Sequence, residues 1–207
     1  QLLGTYRRLK ADGIVPVHAV QVRDVLDADE HAALLSMVAQ QAAHFAGTRT
    51  STGVINYRES MVLYHFAPFD ELLRDKVRGL MPQVCEALKI PVATGAIEAQ
   101  LTAHNDGNFY KVHNDNGSAD TVHRALTFVY YFHRQPKGFS GGELRIYDHK
   151  NQNGYHYAAD SYSTIEPLDN SMVLFESREM HEVLPVTCPS QQFMDSRFTI
   201  NGWVAKS

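Results

Sequence analysis

Ala125-Leu126-Thr127-Phe128-Val129-Tyr130-Tyr131-Phe132 is apolar and rich in β-forming residues, and it reads as a strand. Similar short segments lie around it: Met61–Tyr64 upstream, then Glu143–Tyr147 after Gly141-Gly142, Ser171–Phe175, His181–Val186 and Arg197–Val204. Strands this short, punctuated by turn residues, predict a sandwich or barrel. Asp148–Tyr162, with its Asn, Gly, His and Asp, reads as a long exposed excursion between strands.

The N-terminal part carries a helical period instead. Asp27 with Glu30 predicts a capping box. Leu34, Val38, Ala42 and Phe45 then recur near helical spacing until Gly47 stops the run. A second helix is expected from about Asp70, with Leu73, Val77 and Leu80 on its apolar stripe. Pro82 should kink it or start a new short one, Val84 and Leu88 continue the face, and Pro91 ends it. Both stripes are expected to pack on the core. Thr48–Leu63 between them reads as a loop holding one strand. With no internal repeat or linker, residues 1–207 read as a single domain that is mainly β with supporting helices. Roughly residues 1–95 form the helical support and roughly 96–204 the β core.

Composition removes several classes. The chain has 207 residues, 44% of them hydrophobic, and a net charge of 19 − 23 = −4. No apolar run approaches the roughly 18 residues of a membrane helix. Gln1–Arg8 lacks the order of a signal peptide, and the absence of a starting Met leaves room for an upstream piece. Slight acidity argues against nucleic acid as a partner. Cys85 and Cys188 make no disulfide framework, which fits a cytoplasmic location.

The 11 histidines suffice for a metal site. His113-Asn114-Asp115 offers an imidazole and a carboxylate at i and i+2, which share one face of an extended strand. His181, opening another predicted strand, is the best third ligand. Two His and one carboxylate make the facial triad of non-haem Fe(II) oxygenases. The plainer alternative is a polar turn over His113–Gly117. His18, His31, His44, His65, His149 and His156 read as surface or loop residues, while His123 and His133 bracket a strand. Arg197 on a core strand needs a carboxylate partner. A dicarboxylic cosubstrate would supply one, and the Tyr131 hydroxyl is placed to share it.

The ordered set of motifs is more specific than any one of them. It comprises Gly107-Asn108-Phe109-Tyr110-Lys111-Val112-His113-Asn114-Asp115, Leu126–Tyr131, Ser140-Gly141-Gly142-Glu143-Leu144-Arg145-Ile146-Tyr147 and Ile165-Glu166-Pro167. Leu174-Phe175-Glu176-Ser177, His181-Glu182-Val183-Leu184-Pro185-Val186 and Arg197-Phe198-Thr199-Ile200-Asn201-Gly202-Trp203 complete it. In this order and spacing the chain resembles the 2-oxoglutarate- and Fe(II)-dependent oxygenases, within their prolyl 4-hydroxylase-like branch. The resemblance implies a double-stranded β-helix, or jelly roll, with Fe(II) at its open end. It implies His113, Asp115 and His181 as metal ligands, Arg197 on the distal carboxylate of 2-oxoglutarate and Tyr131 assisting it. Tyr110 and Asn201 would line the pocket beside the metal, and Trp203 would wall it.

The implied reaction consumes 2-oxoglutarate and O2, releases succinate and CO2, and hydroxylates an unactivated C–H bond, with ascorbate expected to stimulate it. Asp115 speaks against a halogenase, whose relatives replace this carboxylate with a small residue. His104 departs from the family, where an aromatic hydroxyl often stands, and the stretch between His181 and Arg197 is long. The branch suggests a prolyl residue in a protein or peptide as substrate, and a free or carrier-bound amino acid or small natural product is the alternative. Arg49–Tyr64, including Tyr57 and Arg58, and Asp148–Tyr162 are the candidate substrate loops. Two rivals stand beside this reading. A non-catalytic metal-binding β-barrel would not need Arg197. A zinc hydrolase would need a base such as Glu182, which should face away from His181's metal.

Overall fold

The structure is a computed structural model that describes residues 13–48 and 56–207. Its strands are β1 (Val20–Arg23), β2 (Ala46–Gly47), β3 (Arg58–Glu59), β4 (Met61–Leu63), β5 (Ile97–His104), β6 (Phe109–His113) and β7 (Arg124–Phe132). After these come β8 (Ser140–Gly141), β9 (Leu144–Gln152), β10 (Tyr155–Ile165), β11 (Ser171–Glu176), β12 (His181–Val183), β13 (Val186–Thr187) and β14 (Arg197–Ala205). The helices are α1 (Ala28–Gln40) and α2 (Phe69–Leu88). The larger sheet runs β1-β11-β7-β14-β5-β4-β2 and the smaller β10-β9-β12-β6-β3, with β13-β8 as a separate pair.

Residue parity sorts the two faces of the larger sheet. On β7, Leu126, Phe128, Tyr130 and Phe132 join one core cluster with Phe198, Ile200 and Val204 of β14. Leu34 and Val38 of α1 and Leu73, Val77, Met81 and Val84 of α2 cover that face. Alternate residues point the other way. Tyr131 of β7 and Val173 and Phe175 of β11 pack against Leu144, Ile146 and Ile165 from the smaller sheet. Two antiparallel sheets closed face to face over this second cluster make a double-stranded β-helix.

The helices follow local chemistry with small departures from expectation. The capping box is present: Asp27 accepts from the Glu30 N–H at 2.8 Å and Glu30 accepts from the Asp27 N–H at 3.0 Å. Helix α1 ends at Gln40, well before Gly47, because Ala42–His44 tightens into a 3₁₀ turn and Ala46–Gly47 then pairs with β4. Helix α2 neither breaks nor restarts at Pro82. Pro82 and Arg78, the residue whose carbonyl loses its donor, are both exposed, so water can take the place of the missing N–H. The stripe passes through Met81 rather than Leu80, and Lys89 in the left-handed region caps the helix before Pro91.

Two larger corrections concern the sheets. The N-terminal part adds more strands than the one expected at Met61–Tyr64, because β1 extends one edge of the larger sheet and β2 joins the expected β4 at the other. Asp148–Tyr162 is not a loop. It lies within β9 and β10, which pair across a hairpin with an irregularity between Ala158 and Tyr162. Likewise the expected strand His181–Val186 is interrupted, as β12 ends at Val183 and Val186 begins a separate pairing with β8.

Candidate active site

His113 and His181 are direct cross-strand partners, His113 ending β6 and His181 opening β12. Their ring centroids lie 4.2 Å apart. His113 Nδ1 lies 2.7 Å from the Lys111 carbonyl and His181 Nδ1 2.8 Å from that of Glu179. A carbonyl only accepts, so each Nδ1 carries a proton, and in the neutral ring each Nε2 presents its lone pair. Both Nε2 atoms face Asp115, at 3.6 Å from Oδ1 for His113 and 3.4 Å from Oδ2 for His181.

Asp115 reaches this place differently from the expected extended strand, since β6 stops at His113 and Asp115 sits in the bend beyond it. Its N–H donates to the Ser177 carbonyl at 2.9 Å. Its Oδ2 accepts from Thr127 Oγ1 at 2.8 Å, and Thr127 in turn lies 3.0 Å from Ser177 Oγ. Burial and the neighbouring His181 hold His113 down to about 3, so it is neutral at pH 7. Burial alone would raise Asp115, but His181, His113 and the Thr127 hydroxyl hold it well below the usual carboxylate range. Burial would lower His181, but Asp115 beside it raises it. Two imidazoles and an ionised carboxylate thus converge with ligating atoms within 4.8 Å of one another, a donor set suited to Fe(II).

The cluster opens on a cavity of about 680 Å³ that Arg197 also lines. Arg197 is only 2% exposed, and among the described residues its polar contacts are neutral groups. Its Nε donates to the Gly142 carbonyl at 2.8 Å, and its Nη1 lies 3.4 Å from His104 Nδ1. Gly142 permits this approach: its φ is +71°, and a Cβ there would fall 2.6 Å from Arg197 Cδ. The long connection before Arg197 does not shift its register, as it pairs with His104.

His104 has become part of the arginine's surroundings. Arg197 can only donate, so His104 Nδ1 accepts and its Nε2 carries the proton. Burial, then Arg197 and Arg58, hold His104 well below the usual imidazole range and therefore neutral. That buried Nε2 has no partner among the described residues, and neither does the Tyr131 hydroxyl. Burial pushes the Tyr131 phenol up to about 12, so it remains a donor, and its ring centroid lies 5.2 Å from the Arg197 guanidinium. A buried cation with two unsatisfied donors beside it fits the carboxylate of a dicarboxylic acid.

The remaining expected residues fall around the same cavity. Tyr110 stacks on His113 at a centroid distance of 3.5 Å, and the Arg58 guanidinium sits 4.8 Å from the Tyr110 ring. The Tyr57 hydroxyl donates to the Val112 carbonyl. Asn201 Oδ1 accepts from Thr102 at 3.0 Å. Trp203 carries the Arg124 guanidinium 3.6 Å above its ring, and its indole N–H has no partner among the described residues. All five line the cavity, but Tyr131 lies behind the lining in the barrel core. No residue of Asp148–Tyr162 lines it; from β9 and β10 only Leu144, at the start of β9, does. Part of the other candidate substrate loop, residues 49–55, lies outside the described residues. Sequence reading did not single out Thr127 and Ser177, which hold Asp115. The parity of β7, with Thr127 on the face of Tyr131, is the signal that finds the first.

A double-stranded β-helix holding two histidines and a carboxylate at a cavity with a buried arginine has the layout of a non-haem Fe(II) oxygenase. A family model described as the 2OG-Fe(II) oxygenase superfamily matches residues 99–205, and the chain belongs to that superfamily. An uncharacterized PKHD-type hydroxylase of Synechocystis sp. (strain ATCC 27184 / PCC 6803 / Kazusa) is 39% identical over 189 residues. The match takes in 90% of this chain and 62% of that relative, so the chain spans about six-tenths of its length. Among solved structures, a Pseudomonas putida prolyl-4-hydroxylase is 20% identical with a TM-score of 0.63, each chain being fully covered. A Trichoplax adhaerens prolyl hydroxylase, solved with a peptide fragment of the hypoxia inducible factor oxygen degradation domain, is 20% identical with a TM-score of 0.67. The likeness covers 97% of this chain and 86% of that one. At these identities the two structures share the fold. No helix among the described residues is long and apolar enough to cross a membrane.

Proposed function

We propose that the protein is an Fe(II)- and 2-oxoglutarate-dependent dioxygenase that hydroxylates an unactivated C–H bond of a prolyl residue in a protein or peptide. The observation that carries this reading is Arg197, a fully buried guanidinium without a carboxylate partner among the described residues, lining the cavity on which His113, Asp115 and His181 converge. A metal protein without a cosubstrate would have no reason to bury that charge.

His113, Asp115 and His181 would hold Fe(II) through two Nε2 atoms and a carboxylate oxygen. Together with 2-oxoglutarate, the iron supplies the oxidising chemistry, in which O2 places one atom in succinate and the other in the hydroxyl product, with release of CO2. The protein's part is positioning. Arg197 pairs with the distal carboxylate of 2-oxoglutarate, and the Tyr131 hydroxyl and His104 Nε2–H donate to the same end. Lys111 and Glu179 fix both imidazole tautomers, and Thr127 aims Asp115. Tyr110 and Asn201 line the site beside the metal, and Tyr57, Arg58 and Trp203 meet the substrate at the mouth. The peptide substrate is supported by the Trichoplax relative's complex with a peptide. Residues 1–207 act as a single oxygenase domain, Cys85 and Cys188 are buried free thiols that suit the cytoplasm, and ascorbate stimulates turnover.

The test is succinate formation from 2-oxoglutarate under O2 with Fe(II) and ascorbate. It is run on the native chain and Arg197→Ala across a panel of proline-containing peptides and free amino acids. Peptide-stimulated turnover that the variant loses is the expected result. Stimulation by free amino acids alone would move the substrate to the small-molecule class. No turnover and no calorimetric binding of 2-oxoglutarate would leave a non-catalytic metal protein.

A further inference from the structure

A second group of two histidines and a carboxylate lies outside the cavity. His149 is on β9, His156 on β10, and Glu179 in the turn that leads to β12. In the β9–β10 hairpin, His149 is opposite Ala158 and His156 opposite Asn151. The two imidazoles are therefore diagonal neighbours on one face of the ladder, with ring centroids 4.3 Å apart. Glu179 folds under them. Its Oε2 lies 3.1 Å from His149 Nδ1 and 3.5 Å from His156 Nε2, and the three ligating atoms fall within 4.8 Å of one another.

These separations have a metal-site scale. Bonds of about 2.0–2.1 Å to zinc set the edges of a coordination tetrahedron at about 3.3–3.4 Å, between the two observed distances. His156 Nδ1 lies 3.3 Å from Asn151 Oδ1, a side-chain acceptor that would orient the ring and leave Nε2 as the free donor atom. That Nε2 is buried and has no hydrogen-bond partner among the described residues. His149 and Glu179 are 6% and 2% exposed. Arg178 approaches the other Glu179 oxygen, Oε1, at 3.8 Å, so Oε2 stays turned to the imidazoles.

We propose that His149, His156 and Glu179 form a second metal site, taking a zinc-class divalent ion that staples the β9–β10 hairpin to the turn carrying Glu179. None of the three lines the large cavity, so the ion holds structure and does not meet substrate. Its place is consequential, because the Glu179 carbonyl is the group that fixes the His181 tautomer.

The test titrates Zn²⁺ into the full chain carrying His113→Ala and Asp115→Ala, which removes the first cluster. Bound zinc is read by equilibrium dialysis with elemental analysis, alongside thermal unfolding. One ion per chain is expected, with Tm rising by about 5–10 °C at a hundredfold excess over Kd. Adding His156→Ala, a partly exposed position, or Glu179→Gln abolishes both. No bound zinc in the double variant, or binding that neither addition weakens, overturns the proposal. Should the double variant not fold, the native chain is compared with His156→Ala alone. Two ions against one support the site, and equal stoichiometry removes it. Occupancy is read without turnover, so the result is independent of the oxygenase reading.

Discussion

Among the described residues, two clusters of two histidines and a carboxylate lie in different surroundings. In the first, the Asp115 carboxylate divides its oxygens, one towards each imidazole, and Thr127 holds it from behind. In the second, a single Glu179 oxygen faces both rings and Arg178 occupies the other. The first opens on a cavity with a buried arginine, while the second is wedged between a hairpin and a turn. A donor set alone therefore says that an ion can be held, and only the space beside it says whether chemistry can follow. The two are also joined: Glu179 and His181 are two residues apart, one serving each cluster.

The largest expected effect separates the clusters outright. His113→Ala, Asp115→Ala and His181→Ala should each reduce succinate formation to background while far-UV circular dichroism stays native, and His156→Ala should leave most of the turnover. Full activity in any of the first three would remove that residue from the metal. Next comes Arg197→Ala. Removing one partner of a buried charge pair costs about 3–5 kcal/mol, so calorimetry should show 2-oxoglutarate affinity falling by roughly 10²–10³-fold or more. An unchanged affinity would detach the arginine from the cosubstrate.

How much of this could be read in the sequence follows the same division. What local pattern sets was legible, as in the capping box at Asp27 and Glu30 and the strand Ala125–Phe132, and the ordered motifs named His113, Asp115, His181 and Arg197, which the structure brings to one cavity. Residues whose role depends on which strands become neighbours were not. His149 and His156 read as loop histidines because the Asn, Gly and Asp around them signal turns, yet hairpin pairing and Glu179, 30 residues on from His149, bring them together. β1 escaped notice because a four-residue edge strand carries little pattern and is fixed by β11 across the sheet. His104 was visible as a departure, but its meaning came only from the register that sets it opposite Arg197.

A smaller effect tests how the first cluster is supported. Thr127→Val keeps the shape on β7 but removes the hydroxyl that donates to Asp115. Loss of such an outer partner weakens metal binding or activity by about 10–100-fold. Fe(II) or Co²⁺ titration should show the loss, with a near-native melting temperature. A native metal affinity in this variant would mean that the Ser177 carbonyl, through the Asp115 N–H, suffices to place the carboxylate.

The smallest expected effect tests Glu182, the acid beside His181. Glu182 adjoins His181 in sequence and is the nominal base if the ion activates water. Adjacent residues of a strand face opposite ways, and Glu182 follows that rule. It accepts the Tyr147 hydroxyl at 2.6 Å and lies 3.7 Å from Arg145 Nη1, and it does not line the cavity. Glu182→Gln retains an acceptor for Tyr147 and loses only a partly exposed ion pair, worth up to about 1 kcal/mol. Turnover of 2-oxoglutarate should therefore stay within about twofold of native, inside the range of substitutions remote from a site. Removing a general base that turnover needs would instead cost about 10²–10⁴-fold. Steady-state succinate formation separates outcomes that far apart, and a loss of that size would give Glu182 a part in turnover despite its place off the cavity.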